Sequence, residues 1–463
     1  MEKFIQNVTE QIRCVRARTD VAKELADHIT DQASAYEISG LSHDEAVDKA
    51  VREMGDPVGV GVELDRIHRP QADYKMIAMF LLFSLAGLAV MCVLDDMWFY
   101  SKDIVRQSTA WFCLEDVVRQ CAVVLLSFGV MAGVYFLDYT LLGRYAYLIG
   151  VLLTIAICIC RIYSARWGGM PLMFMLSYLY VPVYAAVLYR LRGRGYSAVG
   201  LGIIMQFVLL FFAWKLSGTL YVALNIYMMC TALLFIAVWK KWYTVDRRIA
   251  TVISAGILIV IPAGFVLVRS MLFGAGYGFQ VQRILGWLYP ERYANESGYI
   301  YQWIRQEWEG VKLIGASAAN PFASDRMVGN PASSFAMNPF ILFCIICTYG
   351  LLAGLGVVLA LGAVILRAFQ IVRRQKNQLG FIISAACFLV LLFNCMEGIL
   401  INTGYYPVSS QQLPFVSYGG CTAVTYAALV GLLLSVCRNE RVITSEAAVQ
   451  RPAWRLSIKW EKR

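Results

Sequence analysis

The polar and apolar positions split this chain in two. Residues 1 to about 75 are mixed, with apolar side chains at helical spacing: Val8, Ile12 and Val15 form one stripe, Leu25 and Ile29 another. Three or four short amphipathic helices are predicted there. Ser42 and Glu45 form a capping box, and the helix they open should run to Met54 and stop at Gly55-Asp56-Pro57. Beyond residue 75 the pattern changes to apolar runs of bilayer-crossing length. They lie near 76–94, 117–137, 145–163, 170–189, 196–214, 218–239, 249–272, 338–366, 380–402 and 417–437. The fold class is therefore all-α: a polytopic membrane protein with about ten transmembrane helices behind a small cytoplasmic helical N-terminal domain. The first apolar run starts too late for a signal peptide.

The connections set the expected orientation. Arg144, then Arg190, Arg192 and Arg194, then Lys240, Lys241, Arg247 and Arg248, then Arg367, Arg373, Arg374 and Lys376 fall on one side of the alternating runs. The head and the tail with Arg438 and Arg441 share that side. Positive loops stay inside, so both termini are expected in the cytoplasm. The domain boundaries expected are 1–75 for the head, 76–440 for the membrane part and 441–463 for a cytoplasmic tail. The long connection 273–337 is expected outside, and structureless connections of that length are usually functional.

Composition narrows the chemistry. Of 463 residues 59% are hydrophobic and 16% charged, with a net charge of +10. No basic domain stands apart to bind nucleic acid; the excess charge suits loops facing anionic lipid. The 13 cysteines lie mostly inside apolar runs, including the Cys344-x-x-Cys347 pair, and read as small apolar residues. The three histidines, His28, His43 and His68, are all in the head. Nothing in the sequence calls for a cofactor or a metal. Glu397 stands inside an apolar run, where a charged side chain costs about 2.5–3.5 kcal/mol. It is therefore a functional candidate or a paired residue.

Near the C-terminus the chain reads Gly404-Tyr-Tyr-Pro407-Val-Ser-Ser-Gln-Gln-Leu-Pro414-Phe-Val-Ser417-Tyr418-Gly419-Gly420 between two apolar runs. Its prolines force a re-entrant or surface turn. Glycines at the start of the last helix allow close packing or close approach of a ligand. The Pro…Leu-Pro-Phe-x-Ser-Tyr-Gly-Gly wording resembles the C-terminal signature of the SEDS family, the FtsW, RodA and SpoVE proteins of bacterial cell-wall synthesis. Within the long loop, Arg283-Ile-Leu-Gly-Trp-Leu-Tyr-Pro290 and the segment Glu296-Ser-Gly298-Tyr299-Ile-Tyr-Gln302 resemble that family's large loop. Residues 1 to 75 resemble the permease-prefix domain found before some Firmicute membrane proteins, which implies no chemistry.

The resemblance implies about ten spans and a peptidoglycan glycosyltransferase. In that reaction a loop carboxylate takes the proton of a lipid II acceptor hydroxyl, which attacks the growing glycan and expels undecaprenyl pyrophosphate. Arg283, Pro407, Pro414, Ser417, Tyr418, Gly419 and Gly420 are the implied substrate-binding residues. The family's catalytic aspartate is missing: its segment reads Ser334-Phe-Ala-Met-Asn338-Pro339. Asp325, Glu296 and Glu397 are the carboxylates that could replace it, and little intrinsic polymerisation is expected. The implied partners are lipid II or another undecaprenyl-linked substrate, and a class B penicillin-binding protein that acts as transpeptidase. A non-catalytic lipid II-binding scaffold and a transporter of the lipid-linked precursor remain the alternatives.

Overall fold

The computed structural model describes residues 1–68, 72–100, 109–163, 166, 167, 170, 171, 173, 176–217, 220–246, 248–253, 255, 256, 278–317, 340–407, 413–416 and 420–440. The chain forms two compact units, one built on Met1–Asp73 and the other on Tyr74–Arg374 and Leu379–Ser435.

The first unit contains four helices, α1 (Glu2–Gln11), α2 (Val15–Ile38), α3 (His43–Glu53) and α4 (Pro57–His68). Its core is Phe4, Val8, Ile12, Val21, Leu25 and Ile29 with Ala46 and Ala50. Val8 and Ile12 of one stripe read from sequence thus meet Leu25 and Ile29 of the other, although α2 is a single helix of 24 residues rather than a short one. Gly61 of α4 lies against α1 so closely that a Cβ there would sit 2.8 Å from the Val8 carbonyl. Both halves of the capping box form at the start of α3. The Ser42 hydroxyl donates to the Glu45 carboxylate at 2.7 Å. That bond holds the Glu45 carboxyl below its usual value, so its contribution is present above the unfolded value and fades as pH falls through the folded one. Ser42→Ala is expected to cost about 1 kcal/mol. It should speed hydrogen exchange at the first amides of α3 while leaving α1 and α2 protected.

The second unit is a helical bundle. Its described helices are α5 (Tyr74–Tyr100), α6 (Thr109–Phe136), α7 (Tyr139–Arg144), α8 (Ala146–Ile162), α9 (Tyr180–Arg190), α10 (Tyr196–Ser217), α11 (Leu220–Trp239), α12 (Gly278–Leu288), α13 (Tyr299–Glu309), α14 (Ile341–Tyr349), α15 (Leu351–Arg374), α16 (Gln378–Asn402) and α17 (Gly420–Arg438). By length and composition Tyr196–Leu216, Tyr221–Trp239, Leu351–Arg374 and Gln378–Asn402 can each cross a membrane. Shorter apolar helices occupy Tyr74–Ala89, Gln120–Phe136, Ala146–Ile162 and Thr422–Arg438. Exposed Leu, Ile, Phe and Val side chains along α6, α8, α10 and α15 give these helices an apolar outer surface, as expected where lipid replaces water.

Three sequence readings need correction. The run 338–366 is not one span. It breaks at Gly350, which has φ 98°, into the nine-residue α14 and the 24-residue α15. The two pack as a hairpin whose contact point is Gly354 against the Ile346 side chain. The run 170–189 does not begin as a helix. A two-stranded ribbon, β1 (Arg166–Trp167) with β2 (Met170–Pro171), and a 3-10 turn at Ser177–Leu179 precede α9. Lastly, the long connection is not without structure, for it carries α12 and α13. The apolar side chains of α13 recur at Ile300, Trp303, Ile304 and Trp308, the spacing of one helix face. That face packs on Phe340, Phe343, Cys344, Cys347, Ile401 and Tyr406. The predicted run near 249–272 lies largely outside the described residues.

Candidate functional site

Polar side chains gather where the C-terminal third of α16 meets the N-terminal ends of α11 and α17. Glu397 is 6% exposed, and its Oε2 accepts from the Asn225 Nδ2 at 2.9 Å. Asn225, on α11, is itself buried. The Tyr178 hydroxyl is hydrogen-bonded to the Asn225 side chain and lies close enough to Glu397 to sense its charge, as does Tyr406. The Tyr406 ring meets Tyr221 edge-on at 6.2 Å. Asn394 lies one turn before Glu397 on the same face of α16 and is fully buried.

A second amide on α16 builds the neighbouring structure. The Asn402 Oδ1 accepts from the Phe343 backbone N–H at 2.9 Å, and its Nδ2 donates to the Gly398 carbonyl at 2.7 Å. Phe343 is in the first turn of α14, where backbone donors lack helical partners. Asn402 therefore caps α14 from a position 59 residues away in the chain. The connection Lys312–Ser317 ties to the other end of α14. Gly315 and Ser317 donate to the Tyr349 and Cys347 carbonyls at 3.0 and 2.9 Å, and Leu351 and Leu352 donate to Lys312 and Leu313 at 2.9 and 3.1 Å.

The signature stretch folds onto this end of the bundle. Leu413 is buried against α16 at Gly398, where a Cβ would come within 2.7 Å of it. Phe415 takes φ 67°, and its carbonyl lies 2.9 Å from where a Cβ of Gly87 on α5 would be. Its ring packs edge-on against Phe80 at 5.7 Å and reaches Tyr426 at 5.6 Å. Glycines at 87 and 398 are thus the two clefts that receive the turn.

Of the residues singled out in the sequence, Pro407 is half-buried, Pro414 is buried and Gly420 opens α17. Ser417, Tyr418, Gly419, Asp325 and Asn338 lie outside the described residues. Arg283 and Glu296 are exposed and belong to one hairpin. The Ser297 hydroxyl donates to the Gln282 carbonyl at 2.6 Å, and Gly286 leaves room for the Ser297–Gly298 backbone. Arg283 and Glu296 are therefore the immediate neighbours of a bonded pair on facing segments. Asn225, Asn394 and Tyr178 were missed. The two amides carry the same signal as Glu397, a polar residue in an apolar run; a tyrosine in such a run carries none.

This arrangement defines a polytopic helical membrane protein with a polar cluster at one end of its bundle, beneath a structured loop. The model of the FtsW/RodA/SpoVE cell cycle protein family matches residues 75–442, and the chain belongs to this family. It is 24% identical over 220 residues to the probable peptidoglycan glycosyltransferase FtsW of Idiomarina loihiensis, covering 47% of this chain and 49% of that one. It is also 24% identical over 196 residues to the peptidoglycan glycosyltransferase MrdB of Escherichia coli, covering 41% and 50%. The chain spans about half the length of these curated relatives. Its fold is similar to that of a chain in a peptidoglycan synthase complex that coordinates polymerization and crosslinking. The TM-score is 0.57 at 18% identity, over 80% of this chain and 98% of the other.

Proposed function

We propose that this protein acts on a lipid-linked peptidoglycan precursor, lipid II, in bacterial cell-wall synthesis. It binds the precursor at the loop end of the bundle and polymerises glycan slowly or not at all. The observation that carries this reading is the placement of Arg283 and Glu296 on one exposed hairpin, each next to a member of the Ser297–Gln282 hydrogen bond, within the matched family region. An arginine suits the pyrophosphate leaving group, because its fork of N–H donors matches phosphate oxygens. A carboxylate nearby can accept the proton of an attacking hydroxyl. Glu397 is a poorer base, because it is buried and already accepts from Asn225. The position where the resemblance expects the family's aspartate is Asn338, and an amide cannot take the proton. A general base contributes about 10²–10⁴-fold, so turnover should fall short of a base-bearing relative by about that factor. A class B penicillin-binding protein is the proposed partner.

The test is lipid II binding and polymerisation by wild type, Arg283→Ala, Glu296→Gln and Asp325→Asn proteins in one lipid. Binding should persist in wild type and weaken about 10- to 100-fold in Arg283→Ala, the loss of a charged hydrogen bond worth about 1.5–3 kcal/mol. Residual turnover should drop further in Glu296→Gln. Full-rate polymerisation by wild type, or binding indifferent to Arg283, would overturn the proposal.

The same reading puts both termini in the cytoplasm and the Lys312–Ser317 connection outside. Leu313 is 66% exposed. A cysteine placed there should react with an impermeant thiol reagent added to intact cells; reaction only after lysis would reverse the orientation.

A further inference from the structure

We infer that the gap between α6, α7, α8, α9 and α17 is a binding site for one anionic phospholipid of the surrounding membrane. An acyl chain fills the gap, and Arg144 and Arg190 hold the phosphate. The gap is a cavity of about 340 Å³, within the range of about 300–1,000 Å³ usual for ligand pockets. Its lining is apolar: Leu137 follows α6, Leu142 lies on α7, Leu153 on α8, Val183 on α9 and Leu432 on α17. Leu137 is also exposed, so the cavity opens to the surface of the bundle.

Its walls are two helix pairs, each fixed within itself. In the first, α17 meets α6 at Gly431, where a Cβ would lie 2.6 Å from the Met131 carbonyl oxygen. The Ser435 hydroxyl also donates to the Leu137 carbonyl at 2.6 Å. In the second, a Cβ of Gly150 on α8 would lie 3.3 Å from the Val183 side chain on α9. The Tyr180 hydroxyl donates to that of Thr154 at 2.9 Å. The cavity is the space left between the pairs. Apolar cavities of this kind stay dry, and a hydrocarbon chain suits them.

Depth and charge select the lipid. The lining reaches Leu179, which precedes the 11-residue α9, and Arg190 ends that helix. At 1.5 Å per residue this is about 16 Å, half of a hydrocarbon core about 30 Å thick and so the depth of one leaflet. Arg144 ends α7, two positions after Leu142. The Arg190 Nη1 donates to the Arg144 carbonyl at 2.9 Å, and its guanidinium lies 5.1 Å from the centre of the Tyr147 ring. The Arg144 guanidinium lies 5.3 Å from that of Tyr145. Among the described residues neither arginine has a carboxylate partner. Asp138, the acidic member of the lining, is engaged as the N-cap of α7, where it accepts from the Thr140 N–H at 3.1 Å. Two cations thus stand at one end of an acyl-sized cavity, and a guanidinium fork matches phosphate oxygens. None of these residues takes part in the proposed lipid II reaction, so the two readings can fail separately.

The experiment measures equilibrium binding of radioactive phosphatidylglycerol or phosphatidylcholine to the purified full-length protein in micelles. Wild type should bind about one phosphatidylglycerol per chain, at least 10-fold more tightly than phosphatidylcholine. Ala428, half-buried in the lining, is the place to fill the cavity. Ala428→Phe should weaken binding at least 10-fold and leave the thermal midpoint without added lipid unchanged or raised. The double variant Arg144→Gln, Arg190→Gln should bind the two lipids alike. Arg373→Gln removes a cation from the end of α15, outside the lining, and should bind as wild type does. If Ala428→Phe does not fold, the arginine variants decide. Equal affinity of wild type for the two lipids overturns the inference, as does binding unchanged in folded Ala428→Phe or weakened equally by Arg373→Gln and the double variant. A dimer that Ala428→Phe splits, without saturable lipid binding, would make a second copy the occupant and overturn it too.

Discussion

Replacing Asn225 with leucine is expected to destabilise the bundle by about 2–3 kcal/mol, and replacing Glu397 with methionine as well is expected to recover most of that loss. The single change removes the amide that donates at 2.9 Å to a carboxylate that is 6% exposed. A hydrogen bond to a charged group is worth about 1.5–3 kcal/mol, and the group left behind is expensive because it is buried. The double change takes away the charge along with its donor, so nothing polar of that pair remains to be satisfied. Unfolding in micelles, analysed as a double-mutant cycle, reads the coupling directly. If the double variant is weaker than Asn225→Leu alone, the two side chains do not depend on each other and the cluster is only incidental packing.

Gly350→Ala is expected to have the other large effect, about 3 kcal/mol on the local structure of the loop end. Gly350 has φ 98° and ψ 170°, a region that side chains rarely enter and that costs about 1–3 kcal/mol. An added Cβ would also sit 2.7 Å from the Leu313 carbonyl and 2.8 Å from the Ile314 Cα. Both are backbone atoms, so the Lys312–Ser317 connection must move and its four hydrogen bonds to residues 347–352 go with it. Hydrogen exchange at the Gly315 and Ser317 amides should speed by about 10²-fold. Gly356→Ala is the control. It lies six residues further on, inside α15, with nothing within 4 Å of its added Cβ, and should be neutral or slightly stabilising, since alanine favours a helix by up to about 1 kcal/mol over glycine. Equal effects at the two sites would mean that the close approach at Gly350 is not what shapes this turn.

These cases show what sequence can carry. The capping box at Ser42 was legible because both of its members lie within four residues of each other. Glu397 was legible because a charge in an apolar run is conspicuous whatever surrounds it. The break at Gly350 was not, because its cause lies at Leu313 and Ile314, and a glycine in an apolar run otherwise reads as an ordinary helix contact. The ribbon at the head of this run was missed for a related reason: Met170 and Pro171 are apolar enough to continue a span, and hydrophobicity does not report hydrogen bonding. The Arg283–Glu296 hairpin needed the local packing of Gly286 against Ser297, which no periodicity records.

The cap on α14 bears on how the chain is assembled during synthesis. The Phe343 amide emerges from the ribosome 59 residues before the Asn402 side chain that satisfies it. Until α16 follows, the first turn of α14 has a donor with no permanent acceptor, in a segment too apolar to rest in water. The first turn of α14 is therefore completed only after α16 has been made.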